Sequence, residues 1–309
     1  LDAAIKEAGM RIRALGLFML AARLGLGASS LNVGGLERNY ILTRPQGQGP
    51  WPLVIALHGG GGRISQMERL TGLGALGEKE GFAVAYPEAM DKHWNDGRSD
   101  FKLESNSDDV AFLLALRDRL IQDKVADPHQ IYLCGISNGG LMALRMACEQ
   151  GGLFAGVGVV SMNMSAAYDC YPVISVPICF IDGDEDPLVP HGGGDIRLFK
   201  RGKSRGKVRS FDDTLAYWAR VNHTRPHPEI MDLPVLDPDD PCSIQRLHYE
   251  SGPGGAEVLA YLVRGGGHAW PGGWKYLPSF LVGRRSTNLN ASAALWQFFS
   301  RNRRDAGPR

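Results

Sequence analysis

Three segments of the chain carry residues whose types and spacing suit covalent catalysis. The first is Gly135-Ile136-Ser137-Asn138-Gly139-Gly140, which follows the apolar run 131–134 and precedes the helical stretch LMALRMACE. A serine on a tight strand-to-helix turn presents its hydroxyl at the end of a sheet, and small residues on either side let strand and helix approach closely. The helix N-terminus behind it favours developing negative charge. Ser137 is therefore the candidate nucleophile, set against the plainer reading of a Gly-rich turn with an incidental serine. The second segment, His58-Gly59-Gly60-Gly61-Gly62, comes directly after the apolar run LVIAL. A glycine loop there can aim backbone N–H groups at an oxyanion, and the expected donors are the amides of Gly60 and Asn138. His58 then shapes the loop. A phosphate cradle is the competing idea, but the segment lacks both the G-K-[ST] ending of a P-loop and the spacing of a dinucleotide turn.

The third segment must supply a base. If the chain order is serine, acid, histidine, the base lies late. His268 sits in Arg264-Gly265-Gly266-Gly267-His268-Ala269-Trp270-Pro271-Gly272-Gly273, after the strand-like run EVLAYLV, where a glycine loop can carry an imidazole over the serine. The other late histidines fit less well. His248 reads as sheet surface and His129 as a turn before a strand. His223 and His227 have zinc-like spacing, but Pro226 disfavours a helix there and no acidic third ligand is evident. The acid belongs after the preceding strand, where Asp182, Asp184, Glu185 and Asp186 stand close together. Chemistry alone does not choose among the four.

Stepping outward from these residues, short apolar runs at 39–43, 53–57, 82–86, 131–134, 157–160, 178–181 and 258–263 read as strands. Several are near-continuous Val/Ile/Leu runs, as parallel strands covered on both faces require. Helical patterns fall between them at 108–123, 141–149, 211–221 and 291–299. This alternation predicts an α/β fold, a mostly parallel central sheet flanked by helices in three αβα layers. With 309 residues, 44% hydrophobic and 22% charged, the chain can bury one large core. A net charge of +1 gives no reason to expect nucleic acid or an acidic membrane as partner. The predicted organisation is a leader over 1–35, a catalytic domain over 36–303 and a tail over 304–309. The stretch from Met10, MRIRALGLFMLAARLGLGASS, has the form of a secretory signal ending near Ala28. It is too short for a membrane span, which needs about 20 apolar residues. An export signal implies a secreted or periplasmic protein. The alternative is an amphipathic leader on a cytoplasmic one. Residues 191–210 form a Gly-rich, basic insertion that includes Lys200, Arg201, Lys203, Arg205, Lys207 and Arg209. These side chains could steer an acidic polysaccharide or simply form a solvated loop. Of the five cysteines, Cys134 and Cys179 read as buried in strands and Cys148 as helical, while Cys170 and Cys242 lie in loops and could pair.

Taken together, GISNGG, HGGGG, HWNDGR at 93–98, SDDVAFL at 107–113, DGDEDPLVP and GGGHAWPGG resemble the polyhydroxybutyrate-depolymerase and feruloyl-esterase group of the α/β-hydrolases, close to carbohydrate esterase family one. The resemblance runs from about residue 36 to about residue 302. It implies that Asp186 is the acid, matching the aspartate of the group's H-G-x-x-D-x-x-V-P turn; Asp182 stands where that turn usually has histidine. It also implies cysteines near 211–221, where His223 occupies one expected place and puts a disulfide there in doubt. The activity implied is ester hydrolysis through an acyl-enzyme. The substrate would be a feruloyl or acetyl ester of plant polysaccharide or a hydroxyalkanoate oligomer, and no metal or organic cofactor is needed. An acyltransferase or a non-catalytic ligand-binding protein of the same fold is the alternative class. Trp94 and Trp270, with Trp274 and Tyr276, lie in loops expected near the mouth of the site. Trp94 and Trp270 are the expected substrate contacts.

Overall fold

The structure is a computed structural model and describes residues 29–102, 107–198 and 202–304. The chain order begins β1 (Ser29–Val33), β2 (Leu36–Thr43), β3 (Trp51–Leu57), α1 (Ile64–Thr71), α2 (Leu73–Glu80), β4 (Ala83–Pro87), α3 (Asp109–Gln122), β5 (Ala126–Ile136) and α4 (Asn138–Gln150). It continues β6 (Gly156–Val160), β7 (Ile178–Gly183), β8 (Gly194–Asp195), β9 (Lys207–Val208), α5 (Phe211–Val221), β10 (Glu229–Asp232), β11 (Ser243–Tyr249), β12 (Val258–Arg264), α6 (Ser279–Val282) and α7 (Ala291–Ser300). Among the described residues, ten strands form one sheet in the order β1-β2-β4-β3-β5-β6-β7-β12-β11-β10. The six central strands from β4 to β12 run parallel, and antiparallel hairpins extend both edges. This is the α/β-hydrolase architecture that the sequence predicts.

The alternation of the central strands explains the layers. Leu53, Ile55 and Leu57 of β3 face one apolar core, while Val54 and Ala56 face another. On the first face lie Phe112 and Leu116 of α3, Met142 and Met146 of α4, and Leu215 and Trp218 of α5. On the second lie Met67 and Leu70 of α1, Leu73 of α2, and Leu295 and Phe298 of α7. Both faces being covered, the central strands need no polar side, which is why they read as continuous apolar runs. The sheet order also locates the site. From β3 the chain goes to β4 on one side, and β5 lies on the other, so strand order reverses between β3 and β5. In open α/β sheets the crevice at the carboxyl ends of such a pair is where ligands bind.

Several expectations change. Residues 29–35 join the sheet through the β1–β2 hairpin, so the boundary placed at residue 36 falls inside a structured element; residues 1–28 lie outside the described part. His129 belongs to β5, which starts earlier than its apolar core suggests. The cysteine pairing also differs. Cys170 is bonded to Cys148, not to Cys242, because the loop after β6 folds back over the last turn of α4 and leaves their Cα atoms 5.4 Å apart. Cys242 is a buried free thiol at the start of β11. Cross-linking residues 22 apart restricts the unfolded chain. Cys170→Ser should therefore lower stability by about 3 kcal/mol in urea unfolding. Reductant should bring the wild-type chain to the same level, and Cys242→Ser should leave the reductant effect intact.

Candidate active site

Ser137 sits between β5 and α4 with φ 57° and ψ −125°. A non-glycine residue in that region is strained, and the surroundings must hold it there. They do so by sterics. A Cβ on Gly135 would lie 2.2 Å from the carbonyl oxygen of Gly139, and a Cβ on Gly139 would lie 2.5 Å from the carbonyl oxygens of Leu57 and His58. Only glycine lets β5, α4 and the end of β3 approach so closely. The amide of Ser137 donates to the carbonyl of Val160, which fixes the turn to β6. The glycine loop after β3 passes directly alongside. A Cβ on Gly59 would be 3.4 Å from Cβ of Ser137, and one on Gly60 would be 3.5 Å from Cβ of Asn138. Among the described residues the amides of Gly60 and Asn138 have no hydrogen-bond partner. For Asn138 this is the orphan N–H of a first helical turn.

A buried polar network supports this loop. His58 is 2% exposed. Its Nε2 accepts from the amide of Ala89, so Nδ1 carries the proton and donates to the carbonyl of Gly59. Burial holds its pKa below the ordinary value. His58 is thus a neutral brace of the loop. The side chain of Asn138 accepts from the amide of Trp94 and donates to the carbonyl of Trp94 and to Asp96, which in turn holds Arg98. Trp94 corrects the sequence expectation. Its side chain is fully buried, its indole Nε1 donates to the carbonyl of His58, and it does not line the cleft. Trp270 is likewise buried, with Nε1 donating to Ser292 Oγ, which itself donates to the carbonyl of Thr71. Each indole fills space behind a site loop and satisfies a backbone or hydroxyl acceptor there, so neither presents a face to a ligand.

The four acids after β7 separate cleanly. Asp184 accepts from the amide of Gly265, and Glu185 pairs with Arg284 on the surface. Asp182 pairs with His191. Asp186 alone reaches His268: its Oδ2 is 2.6 Å from Nδ1, and its Oδ1 accepts from the amides of Leu188 and Val189 at 2.8 and 2.9 Å. The imidazole of His268 is buried, which by itself would lower its pKa. The charge and hydrogen bond of Asp186, aided by the charge of Asp182, outweigh that and raise it. The His268 backbone is fixed by its amide donating to Val282 and its carbonyl accepting from Tyr276.

Ser137 and His268 open onto a shared cleft of about 360 Å³. His58 and Gly59 to Gly62 line one side; Gln66, Met67, Leu70, Ile136, Leu188, Leu198, Leu277, Trp274 and Tyr276 line the rest. Trp274 stacks its ring under Arg69 at 3.8 Å. Most wall residues that the sequence does not reveal are therefore apolar, with Gln66 the polar exception. Leu198 comes from the basic insertion, which is anchored by the β8–β9 hairpin, by Arg98 donating to the carbonyl of Arg205 and by the amide of Lys207 donating to Asp100. Lys203 and Lys207 remain exposed, and Lys200 and Arg201 lie outside the described residues. His223 and His227 are not gathered with acids. Among the described residues no cluster of three or more His, Cys, Asp or Glu could hold a metal ion. His248 lies on the sheet in β11, as expected, and pairs with Glu257.

A family model described as esterase PHB depolymerase matches residues 39–177. The protein named Putative esterase NocK, from Nocardia uniformis subsp. tsuyamanensis, is 32% identical over 280 residues, covering 86% of this chain and 80% of its own length. Feruloyl esterase B of Piromyces equi is 26% identical over 74% of this chain, which spans only 42% of that protein. Among solved structures, the acetyl xylan esterase from Aspergillus awamori superposes with a TM-score of 0.56 at 15% identity, over 79% of this chain and 94% of that one. At that identity the likeness shows the fold.

The burial of Trp94 has a measurable consequence. Trp94→Ala should lower stability by about 3–5 kcal/mol, read by urea unfolding, and reduce turnover of short and bulky esters alike. A fully stable variant with a raised KM for bulky esters only would return the residue to the cleft wall.

Proposed function

The chain belongs to the esterase family of polyhydroxybutyrate depolymerases and feruloyl esterases and is a carboxylic ester hydrolase; on that premise we propose that it works through Ser137, His268 and Asp186. The observation that carries this reading is the meeting of two sequence-distant features at one cleft: a serine held at positive φ by obligate glycines, and an imidazole whose far nitrogen is bonded to a buried carboxylate. His268 Nε2 takes the proton of Ser137 as Oγ attacks the ester carbonyl. Asp186 fixes the tautomer with the proton on Nδ1 and stabilises the imidazolium. Its two backbone hydrogen bonds at Oδ1 leave Oδ2 for that task. The amides of Gly60 and Asn138 receive the oxyanion, a contribution of about 3–4 kcal/mol per donor in a comparable site. The alcohol leaves with the proton from His268, and water then releases the acid from Ser137 by the same route in reverse.

For the substrate, we infer an ester whose acyl part is apolar and of modest size. The cleft walls are mostly Met67, Leu70, Leu188, Leu198 and Leu277, with Gln66 as a polar point and the ring of Trp274 at the rim. A feruloyl ring fits the aromatic edge, in keeping with the names of the feruloyl esterase relatives. Hydroxyalkanoate oligomers are the second candidate, since a flexible chain also suits an aliphatic wall. The disulfide favours an oxidising compartment, which agrees with the leader read as an export signal.

Ser137→Ala should reduce turnover of a nitrophenyl acetate at least about a thousandfold without a change in unfolding midpoint. Asp186→Asn should be severe and Asp184→Asn mild, and the reverse ranking would move the acid. Because His268 must be neutral to act as base, kcat/KM should fall as pH drops through its raised pKa. The acid limb should therefore have its midpoint above the ordinary imidazole value of about 6.5. Trp274→Ala should raise KM for methyl ferulate more than for acetate esters. Equal effects on both would remove the aromatic ring from the acyl site.

A further inference from the structure

Beside the Asp186–His268 pair the structure holds a second carboxylate–imidazole pair that the proposed chemistry does not use. Asp182, near the end of β7, is 1% exposed. Its Oδ2 lies 2.9 Å from Nδ1 of His191, and its Oδ1 is buried with no hydrogen-bond partner among the described residues. His191 is partly exposed at the head of the basic insertion. Its ring leans on Phe211 at 5.1 Å, and its carbonyl accepts from the amide of Phe211. The turn that carries Asp186 starts at the next residue and closes with the amide of Asp186 donating to the carbonyl of Gly183. Both acids therefore leave the end of one strand, and the charge of Asp182 acts on both Asp186 and His268.

A carboxylate in this place is physically unfavourable. Burial pushes Asp182 up, the hydrogen bond from His191 pulls it back, and the charge of Asp186 pushes it up again, leaving it at about 6. His191 is raised by its bond to Asp182, against the effect of burial, with Asp212 on α5 and Asp184 acting in the same direction. Asp182 faces His191, Asp186 and His268; His191 faces Asp182, Asp212 and Asp184; His268 faces Asp186 and Asp182. The cations named here are the two imidazoles in their protonated forms; Arg284, which lines a small cavity with Asp182, is paired with Glu185, and Tyr276, whose hydroxyl meets the His268 carbonyl, is pushed up by burial and stays neutral. A charge that costs so much to bury, with one oxygen unsatisfied, has its nearest compensation in His191 and its next in His268.

We propose that Asp182 is a positioning residue for ester hydrolysis: held by His191, its carboxylate acts through space on the imidazole of His268 and sets the pH at which that imidazole becomes a free base. The inference rests on the reading of Ser137, His268 and Asp186 as the triad. Its chemistry is electrostatic, with no bond made or broken. While His191 is protonated the pair is neutral and acts weakly on His268. Once His191 loses its second proton, the remaining Nδ1–H still donates to Asp182 and keeps it ionised, and the pair carries a net negative charge. That anion favours the imidazolium which forms during acylation, and in the free enzyme it delays the loss of the His268 proton to higher pH.

The test is the pH profile of kcat/KM for a nitrophenyl ester, from about pH 5 to about pH 9, a range centred on imidazole titration. Asp182→Asn keeps the shape and removes the charge, so the acid-limb midpoint should move down by about one unit. One unit below the wild-type midpoint, the variant should then keep about fivefold more of its own plateau rate. His191→Gln leaves the buried acid without its imidazole partner and drives it to the neutral form, so this midpoint should also move down. The double variant should move no further than Asp182→Asn alone, because His191 acts through Asp182. An unshifted midpoint in either single variant, or additive shifts in the double, would overturn the proposal. If Asp182→Asn does not fold, the His191→Gln profile alone decides. A purely structural role would lower the plateau and leave the midpoint in place. Ser137→Ala is assayed alongside: retained turnover there would sink the triad reading and this inference with it, whereas an inactive Ser137→Ala with unshifted profiles would sink only the inference.

Discussion

The active cleft depends on one close contact, the approach of the start of α4 to the end of β3. At Gly139 the helix backbone lies so near the carbonyls of Leu57 and His58 that a single added carbon would overlap both. That approach does three things together. It forces the sharp turn that holds Ser137 at positive φ, it brings the glycine loop of β3 alongside the serine, and it leaves the first amide of α4 unpaired beside that of Gly60. Each consequence follows from backbone geometry at the point where strand order reverses. None requires a particular side chain beyond the glycines and the serine.

Such a contact strains the chain, and the compensating interactions are polar and buried. The Asn138 side chain is bonded on both of its polar atoms to the segment Trp94–Asp96, and Asp109 extends the same support through the amide of Asn95 and through Arg38, whose guanidinium it meets at 2.7 Å. A network of this kind is favourable only when nearly complete, since an unpaired buried donor or acceptor loses its water without replacement. Here the loop after β4 supplies most of the partners. HWNDGR is therefore a scaffold for the glycine-loop side of the cleft, and its tryptophan is placed by packing.

The alternation of apolar runs made the parallel sheet legible, because strands covered on both faces must be apolar throughout. The serine turn and the glycine loop were legible for the same reason that they are rigid: their glycines are steric requirements. Choosing Asp186 as the carboxylate that meets His268 needed the resemblance, since four neighbouring carboxylates have the same chemistry and differ only in where a short turn points them. Trp94 and Trp270 misled, while Trp274 lines the cleft as expected, because an indole suits a ligand wall and a core equally well, and only burial separates the two. The cleft walls escaped notice for a related reason. Leu70, Leu188 and Leu198 come from a helix, a turn and an insertion far apart in sequence, and a leucine carries no local mark of facing a cavity. The Cys148–Cys170 bond depends on a loop returning over α4, which spacing does not encode.

The division between these legible and illegible parts is itself physical. Groups that would handle the ester carbonyl sit on the ends of β3, β5, β7 and β12, where the sheet fixes them against one another. Groups that would meet the rest of the substrate sit on α1, on the turn after Asp186, on the insertion bearing Leu198 and on the segment from Trp274 to Leu277. Substitution in those segments changes the size and polarity of the cleft without touching a sheet hydrogen bond, so substrate preference can drift while the chemistry stays in place. The Asp182–His191 pair crosses that boundary. Its acid belongs to the sheet and its imidazole to the insertion, so the proposed coupling would give the insertion an electrostatic path to His268.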